Sequence, residues 1–435
     1  MLDDIKDSLN RISKQRIVVG FDLSDEFSMI SYYPLGDDEP ISVPETEGGE
    51  DICIPTAVSK YHAENAWAFG TKAVQAAKDR KATMVANLLS VARSGRPVRV
   101  ENKDYDPVDL LALFMKKCFS LLSSEAPVEK VSIIAITVDR PDAETIDILT
   151  RAIETLRLKP EKVYFQSHSE SAYYYMINQN RELWNHDAIV CHLKDTGLYV
   201  RTMKKNVHTS PIVVLMDEKN FDHIKSEDLY DAPVAIQKQK DTEFWYVLQG
   251  LCEGTHTSSL FLLGDAFSSD WWKESLAYVS KKCRVFRGNN LFCKGAAYGA
   301  REILEPTKNG ETHVYLGKDK VKANVGMRVI RDGEEVYMAL LDAGKNWYET
   351  RRECELILEH EEVLNFIVTP LNGKNVKNAS MYLTGIPLRP GKSTRIHLEL
   401  KMISERRLLV TAIDMGFGEF YEASGLMWNT EIVME

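Results

Sequence analysis

The sequence predicts a duplicated α/β fold followed by a small antiparallel β-sandwich, because one order of elements occurs twice and the remainder is rich in strands alone. Each half, residues 16–186 and 187–304, has the pattern of a hairpin, a strand, a helix, a strand and a helix. Strands that alternate with helices form mainly parallel sheets with helices on their faces. Two such halves in tandem enclose a cleft, and residues 312–435 complete the chain with alternating apolar and polar residues.

The first half opens with two apolar segments joined by a turn at residues 24–26, which is the pattern of a β-hairpin. An insertion follows at residues 35–126. The apolar run at residues 131–138 then predicts a buried strand. A helix, a further strand and a second helix complete this half.

The second half repeats this order around a turn at residues 194–197. Its parallel strand ends at Gly264-Asp265, and the next helix begins with Trp271 and Trp272. Adjacent residues on a helix point in different directions. We therefore expect one tryptophan in the core and the other on a partner surface, where tryptophan is enriched.

Both flanks of the duplicated region have patterns of their own. Residues 1–15 predict a helix, because apolar residues recur there at spacings of three and four. These residues are Leu2, Ile5, Leu9 and Ile12. The polar, turn-rich residues 305–310 predict the boundary between the α/β domain, residues 16–304, and the sandwich.

Composition restricts the class of protein. The chain has 435 residues, 44% of them hydrophobic and 27% charged, which is ordinary for two or three globular domains. Its formal net charge of −10 argues against nucleic-acid binding, which usually needs a basic face. The longest apolar run is too short to cross a membrane, and the acidic N-terminus is unlike a secretory signal. Seven scattered cysteines predict free thiols and a cytoplasmic location.

Several short motifs resemble the superfamily of actin, sugar kinases and DnaK-type heat-shock chaperones, whose ATPase fold consists of two ribonuclease-H-like halves. Residues 20–23, Gly-Phe-Asp-Leu, resemble the first phosphate loop of that superfamily. Gly264-Asp265 stands where the superfamily has the paired glycines of its adenosine motif. Other segments in the same order are similar to chaperone strands and helix starts, at residues 54–58, 69–73, 135–138 and 295–300.

The C-terminal region extends this resemblance. Residues 385–391, the strands that follow and the turn with Gly416 and Gly418 are similar to the end of the substrate-binding β-domain of DnaK-type chaperones. The helical lid that follows this domain in the chaperones has no counterpart. The chain also resembles uncharacterised bacterial proteins with the same degraded architecture. The resemblance thus implies an actin-like ATPase fold with a peptide-binding β-domain.

The phosphate loops depart from the superfamily pattern. Small residues let backbone N–H groups approach a phosphate closely, but residues 24–26 are Ser-Asp-Glu where the superfamily has Gly-Thr-Thr. Two carboxylates there would repel a polyphosphate, by about 1 kcal/mol per close charge pair even in water. In the second loop His192 replaces an aspartate, and Gly197 is a single glycine where the superfamily has three. Residues 84–89 contain no lysine, although the chaperones carry a catalytic one there.

The resemblance implies a candidate cleft at the two phosphate loops and the adenosine motif. We expect a vestigial nucleotide cleft without catalytic residues or metal ligands, lined by Asp22, Ser24, Asp25, Thr196, Gly197, Gly264 and Asp265. If ATP or ADP binds there with Mg²⁺, the resemblance implies that Asp22 holds water on the ion. Ser24 and Thr196 would then contact phosphates, with Gly264 beside adenine. Glu170 lies where chaperones carry a catalytic Asn-Glu-Pro sequence, and we expect it in an exposed polar loop.

Three hypotheses about function remain open. The first, which we favour, is a non-catalytic, chaperone-like protein that binds a peptide or protein partner through the β-domain, by strand addition at a sheet edge. It accounts for the lost loop glycines and lysine together with a retained β-domain. The second is a divergent, active chaperone-type ATPase. The third is an actin-like scaffold or assembly module.

Overall fold

A computed structural model of the chain describes residues 16–46, 48–124, 130–359, 362–371, 375–387 and 389–434. The chain divides into two compact units, of which unit 1 ends at Tyr315 and unit 2 begins at Leu316. The helix expected over residues 1–15 lies outside the described residues. Within the described ranges, none of the helices combines the length and the apolar character needed to cross a membrane.

The first half of unit 1 consists of short strands and helices around one mixed sheet. Its strands are β1 (Ile17–Asp22), β2 (Phe27–Pro34), β3 (Ile41–Ser42), β4 (Ile54–Pro55), β5 (Ala57–Tyr61), β6 (Trp67–Phe69), β7 (Ala82–Ala86), β8 (Val98–Val100), β9 (Lys103–Tyr105), β10 (Val131–Val138) and β11 (Val163–Ser167). Its helices are α1 (Gly70–Lys78), α2 (Leu88–Arg93), α3 (Pro107–Ser120), α4 (Ala143–Thr155) and α5 (His168–Ile177). Aspartate side chains cap α3 and α4, since Asp106 accepts from the N–H of Val108 and Asp142 from that of Thr145.

The main sheet of this half has the strand order β11-β10-β1-β2-β3. β1 is parallel to β10 and antiparallel to β2, so that Asp22, the last residue of β1, lies opposite Thr137 and Met29. Every residue of β1 is buried, as expected for a central strand that is covered on both faces. The carboxyl ends of β1 and β10 therefore reach the same edge of the sheet.

The second half of unit 1 repeats this arrangement. Its strands are β12 (Asp187–Lys194), β13 (Gly197–Asn206), β14 (Ile212–Phe221), β15 (Thr257–Leu263), β16 (Arg284–Arg287) and β17 (His313–Tyr315). Its helices are α6 (Val234–Cys252), α7 (Lys273–Val279), α8 (Leu291–Leu304) and α9 (Lys308–Thr312).

Corresponding strands of the two halves follow the same order. The second sheet runs β16-β15-β12-β13-β14-β17, with β12 parallel to β15 and antiparallel to β13. β12 thus occupies the position of β1, and β15 that of β10. Helices α5 and α8 pack against each other, and α8 also covers β1 and β10. The two sheets are therefore joined through a shared helical layer.

The polar segment at residues 305–310 is part of unit 1. Thr307 caps α9 by accepting from the N–H of Gly310, and Glu302 accepts from the N–H of Thr307 at 2.8 Å. Beyond α9, β17 pairs in parallel with β14 and extends the second sheet. The boundary between the two units therefore lies at Tyr315, three residues after the expected start of the sandwich at residue 312. The polar segment belongs to unit 1, where Thr307 caps α9.

The two adjacent tryptophans are both buried, so the expectation that one of them marks a partner surface is wrong. Trp271 is 3% exposed and Trp272 5%. They lie in a 3₁₀ turn, Asp270–Trp272, and both rings pack against Phe267 in the core. Their indole N–H groups donate to the carbonyls of Ala266 and Phe267, at 3.0 and 3.2 Å.

Unit 2 is a pair of antiparallel sheets packed around an apolar core. Its strands are β18 (Ala323–Arg331), β19 (Glu334–Leu341), β20 (Arg351–Leu358), β21 (Val363–Pro370), β22 (Lys377–Tyr382), β23 (Thr394–Ser404), β24 (Arg407–Asp414) and β25 (Met427–Val433). The sheets have the orders β19-β18-β21-β22 and β20-β23-β24-β25. The expectation of a mixed α/β region followed by an antiparallel β region is confirmed.

Candidate functional site

A cavity of about 280 Å³ lies at the carboxyl ends of the central strands of unit 1. Residues from β1 and β10 line it from the first half, and residues from β12 and β15 from the second. The structure brings six of the seven expected residues to it: Asp22, Ser24, Asp25, Thr196, Gly264 and Asp265. The seventh, Gly197, begins β13 behind the turn and does not line the cavity.

The carboxylate of Asp22 is hydrogen-bonded to another side chain of the protein. It is 2% exposed, and its Oδ1 accepts a hydrogen bond of 2.8 Å from Nε2 of His168, a residue with no exposed surface. The imidazole also stacks on the ring of Phe292, with centroids 4.1 Å apart. Because His168 begins α5 directly after β11, the adjacent strands β1, β10 and β11 place it beside Asp22.

Asp139 follows β10 and joins the two halves at the base of the cleft. The guanidinium of Arg201, on β13, donates to it, and Nδ1 of His168 lies 3.5 Å from its Oδ1. Burial alone would raise the pKa of Asp139. The nearby His168 and the charges of Arg201 and Lys194 outweigh burial and hold this pKa well below its usual range. Asp139 therefore stays ionised and binds cations from the opposite half.

The first loop is also closed by internal hydrogen bonds. The carboxylate of Asp25 accepts from the backbone N–H of Ser90 at 2.8 Å and from its hydroxyl at 2.6 Å. These contacts satisfy a free N–H in the first turn of α2, so Asp25 acts as a cap supplied from another loop. The hydroxyl of Ser24 donates to the carbonyl of Phe27 at 2.6 Å. Both side chains thus stabilise the local loop.

Carboxylates from the two halves face each other across the outer cleft. Partial desolvation raises the pKa of Glu26, and the nearby charge of Asp195 raises it further, against the opposing effect of Lys194. Asp195 itself accepts from the hydroxyl of Ser226. The carboxylates of Glu26 and Asp195 would therefore also repel an anionic ligand in this part of the cleft.

Gly264 is needed for close backbone packing. Its φ of +112° is unfavourable for other residues, and a Cβ atom there would lie 2.3 Å from the carbonyl oxygen of Leu193. The N–H of Gly264 donates to the side chain of Asn289 at 2.8 Å, and Asn289 in turn donates to Asp265 at 2.6 Å. The donors and acceptors around the expected adenosine motif thus bind one another.

His192 occupies the corresponding end of β12. Burial lowers the pKa of His192 well below its usual value, and the nearby Lys194 and His168 act in the same direction. Its ring lies 5.5 Å from that of Phe292, centroid to centroid. The imidazole is consequently a neutral group within an aromatic cluster.

These contacts provide a poor fit for a magnesium polyphosphate. The cavity lining carries the carboxylates Asp22, Asp25, Glu26, Asp139 and Asp265, against the cations Arg93, Arg140 and Lys194. Arg93 already binds Asp142 and Glu144. Phosphates need unpaired cations or free backbone N–H groups. Nowhere in the described ranges do three or more His, Cys, Asp or Glu side chains form a group that could hold a metal ion.

Sequence reasoning missed the residues that fill this cleft. His168, Asp139 and Arg201 were not among the expected site residues, although His168 lies in the same polar segment as Glu170. The expectation that Glu170 lies in an exposed loop is wrong, since it is 3% exposed in the first turn of α5. This segment becomes the buried start of α5 because it follows β11 directly and α5 packs against α8.

A second candidate site lies on unit 2, along the side where β19 and β20 are the outermost strands of their sheets. β19 pairs with Met327 and its neighbours on β18, and β20 pairs with β23. Within the described residues, each of these two strands has a partner strand on one side only. Its other edge therefore presents backbone donors and acceptors to a further strand.

The apolar side chains that point between the two sheets are incompletely covered on this side. Met338 is opposite the buried Met327, and Cys354 is opposite the buried Leu398, so both point inward. Yet the inward-facing residues here are only half-buried: Val329, Val336, Met338, Cys354 and Leu356. On the inner strand β23 the equivalent residues Ile396, Leu398 and Leu400 have no exposed surface. We refer to this half-covered apolar strip as the open side.

Comparison with known proteins yields two families, both without an assigned activity. A model described as Family of unknown function (DUF5716) C-terminal matches residues 39–318. A model described as Domain of unknown function (DUF8552) matches residues 320–434. Their limits meet close to the junction of units 1 and 2. No curated protein was found to be similar to the chain.

Proposed function

Since the chain belongs to the family of unknown function DUF5716, we propose its function from geometry. It is a non-catalytic relative of the actin and DnaK-type chaperone superfamily, and unit 2 binds an extended segment of a partner protein. The observation that carries this proposal is the open side. There, inward-facing apolar residues remain half-buried beside two strands with free edges.

The open side matches the two requirements of strand addition. A free strand edge supplies main-chain hydrogen bonds to an extended peptide, and apolar pockets accept its alternate side chains. Covering the half-buried residues would gain about 25 cal/mol for each Å² of apolar surface removed from water. The expected ligand is an extended segment whose alternate residues are apolar.

The cleft of unit 1 supports a role without ATP turnover. Asp22, the residue that the resemblance implies for Mg²⁺ and its water, is hydrogen-bonded to the buried His168. Asp25 caps α2, and Asp139 binds Arg201. The cleft therefore serves mainly to hold the two halves of unit 1 together.

Fluorescence polarisation with labelled heptapeptides tests the proposal. One peptide has a central Leu-Val-Leu flanked by serine and asparagine, and the other has three serines in place of the apolar residues. We expect the full chain to bind the apolar peptide with micromolar Kd, and the serine peptide at least tenfold more weakly. Met338→Glu should weaken binding of the apolar peptide tenfold or more, because it places a charge in the open side.

Ala339→Glu is the matched control, since Ala339 is the exposed, outward-facing neighbour of Met338 on the same strand. This variant should bind the apolar peptide like the unaltered chain. Circular dichroism confirms that both variants are folded. The proposal fails if the unaltered chain binds neither peptide, or if the two glutamate variants lose binding equally.

The second candidate function is that of a divergent ATPase. It is favoured by the cavity itself, which the hydroxyl-bearing Ser24 and Thr196 line. Isothermal titration of the full chain with Mg·ATP and Mg·ADP, in phosphate-free buffer, separates the two functions. We expect no binding heat at millimolar nucleotide. A micromolar Kd would replace the first proposal by this one.

A further inference from the structure

The loop between β24 and β25, residues 415–426, presents apolar side chains to solvent. Phe420 is 89% exposed, which makes it the most exposed large apolar side chain among the described residues. Phe417, Met415 and Leu426 in the same loop are also exposed, as is Met427 at the start of β25. Isolated apolar residues on a surface are ordinary, but several exposed in one short loop favour a site of interaction.

A buried ion pair fixes the base of this loop. The two guanidinium nitrogens of Arg389 each donate to one carboxylate oxygen of Asp414, both at 2.8 Å, and both side chains are buried. Asp414 also accepts from the N–H groups of Ser424 and Gly416, at 2.8 and 3.2 Å. Nη2 of Arg389 donates to the carbonyl of Glu422 at 2.9 Å. The pair thus binds both arms of the loop.

The backbone of the loop is also tightly folded. The N–H of Phe417 donates to the carbonyl of Tyr421 at 2.7 Å. Gly416 has a φ of +62°, and a Cβ atom there would lie 2.4 Å from the same carbonyl oxygen. The aromatic side chains are therefore presented by an ordered scaffold. Binding through such a loop costs less conformational entropy than binding through a loop that must first become ordered.

The charges of the loop indicate the kind of partner. Between residues 415 and 426 the charged residues are Glu419 and Glu422, both of them acidic and exposed. The nearby Arg395, whose carbonyl accepts from the N–H of Met415, has its guanidinium 3.5 Å from Glu355. Phe420 is thus an apolar anchor with an acidic rim.

We propose that the 415–426 loop is a docking site for a partner protein that offers an apolar surface bordered by lysine or arginine. Phe420 is the anchor, and Glu419 and Glu422 meet the basic border. This site is distinct from the open side, because β23 separates β20 from β24 in their sheet. Aromatic anchors surrounded by polar rims carry most of the binding energy in protein interfaces.

Isothermal titration with defined peptides tests this site. The probe is an amphipathic 18-residue helix of leucine and lysine, and the control peptide has glutamate at every lysine position. We expect micromolar binding of the lysine peptide by the full chain near physiological salt, and binding at least tenfold weaker for the glutamate peptide. Phe420→Ser should weaken binding of the lysine peptide tenfold or more.

Tyr382→Ser is the matched control, since Tyr382 is also exposed on unit 2 but lies on β22. It should leave binding unchanged. Arg389→Lys retains the charge but loses the bidentate geometry, and we expect it to weaken binding several-fold although Phe420 is intact. Phe420→Ser should not alter binding of the apolar heptapeptide to the open side, so the two proposals can fail separately.

Three outcomes would overturn the proposal. The first is equal affinity for the lysine and glutamate peptides. The second is unchanged binding in Phe420→Ser. The third is a concentration-dependent dimer in light scattering that Phe420→Ser abolishes, because a second copy of the chain would then be the occupant.

Discussion

The cleft of unit 1 and the open side of unit 2 differ in what their side chains leave uncovered. In the cleft, Asp22, His168, Asp139 and Arg201 are bound to one another. On the open side, apolar residues such as Met338 and Leu356 are half-buried. Buried polar groups are costly without partners, whereas partly exposed apolar surface gains free energy when a ligand covers it. Unit 2 is therefore the part of the molecule at which we expect a ligand to bind.

Removing a cation that joins the two halves of unit 1 should have the largest effect on the free energy of unfolding. Arg201→Met leaves Asp139 without its closest cation and Ser169 without the 3.1 Å bond from Nε of Arg201. Removing one partner of this largely buried ion pair should lower the free energy of unfolding of unit 1 by about 3 kcal/mol. Urea unfolding measures this change.

Arg284→Met is the matched control within the same unit. Arg284 lies 2.8 Å from Glu182, but both side chains are well exposed, so its loss should cost no more than about 0.5 kcal/mol. Equal effects of the two substitutions would mean that the contacts in the cleft do not stabilise unit 1 as argued.

The order of strands and helices could be predicted from the sequence because it depends on local apolar patterns. Apolar runs such as residues 131–138 became inner strands, and the loops after them lie at one edge of each sheet. For that reason Asp22, Ser24 and Gly264 lie together at the cavity. The apolar pattern of the sequence indicates the edge of the sheet at which these residues lie, but it does not indicate which side chains they bind.

The partners depend on contacts between distant parts of the chain. Asp22 and His168 are 146 residues apart, and they meet only because β1, β10 and β11 are neighbours in the sheet. The burial of both tryptophans likewise depends on a core assembled from distant segments, in which the ring of Trp271 packs against that of Phe244 on α6. The helix α9, in place of a linker, is held by Asn309, whose side chain donates to the carbonyl of Ile177, 132 residues away, at 2.8 Å. No local pattern contains this information.

A smaller effect should appear in the pH dependence of stability. Burial lowers the pKa of His192 in the folded chain, with Lys194, His168 and Arg201 acting in the same direction and Asp139 opposing them. The unfolded state therefore binds a proton more readily below about pH 6.5. The free energy of unfolding should fall as the pH decreases below this value, by up to about 1.4 kcal/mol per pH unit.

His192→Gln removes the titrating group and should reduce this slope, as measured by urea unfolding at a series of pH values. His186→Gln, which changes an exposed histidine, should keep the slope of the unaltered chain. If His192→Gln also keeps it, the imidazole is not held neutral in the folded cleft.

The smallest expected effect on stability distinguishes two roles of Asp25: capping of α2 and participation in ligand binding. As the cap of α2, through its bonds to the N–H and hydroxyl of Ser90, it should contribute about 1 kcal/mol to stability. Asp25→Ala should therefore lower the free energy of unfolding by that amount and leave heptapeptide binding unchanged. Asp25→Asn keeps an acceptor oxygen and should lose less than Asp25→Ala. A variant of normal stability that no longer binds the heptapeptide would instead make the cleft part of the binding function, and the contrast between the two units would then no longer hold.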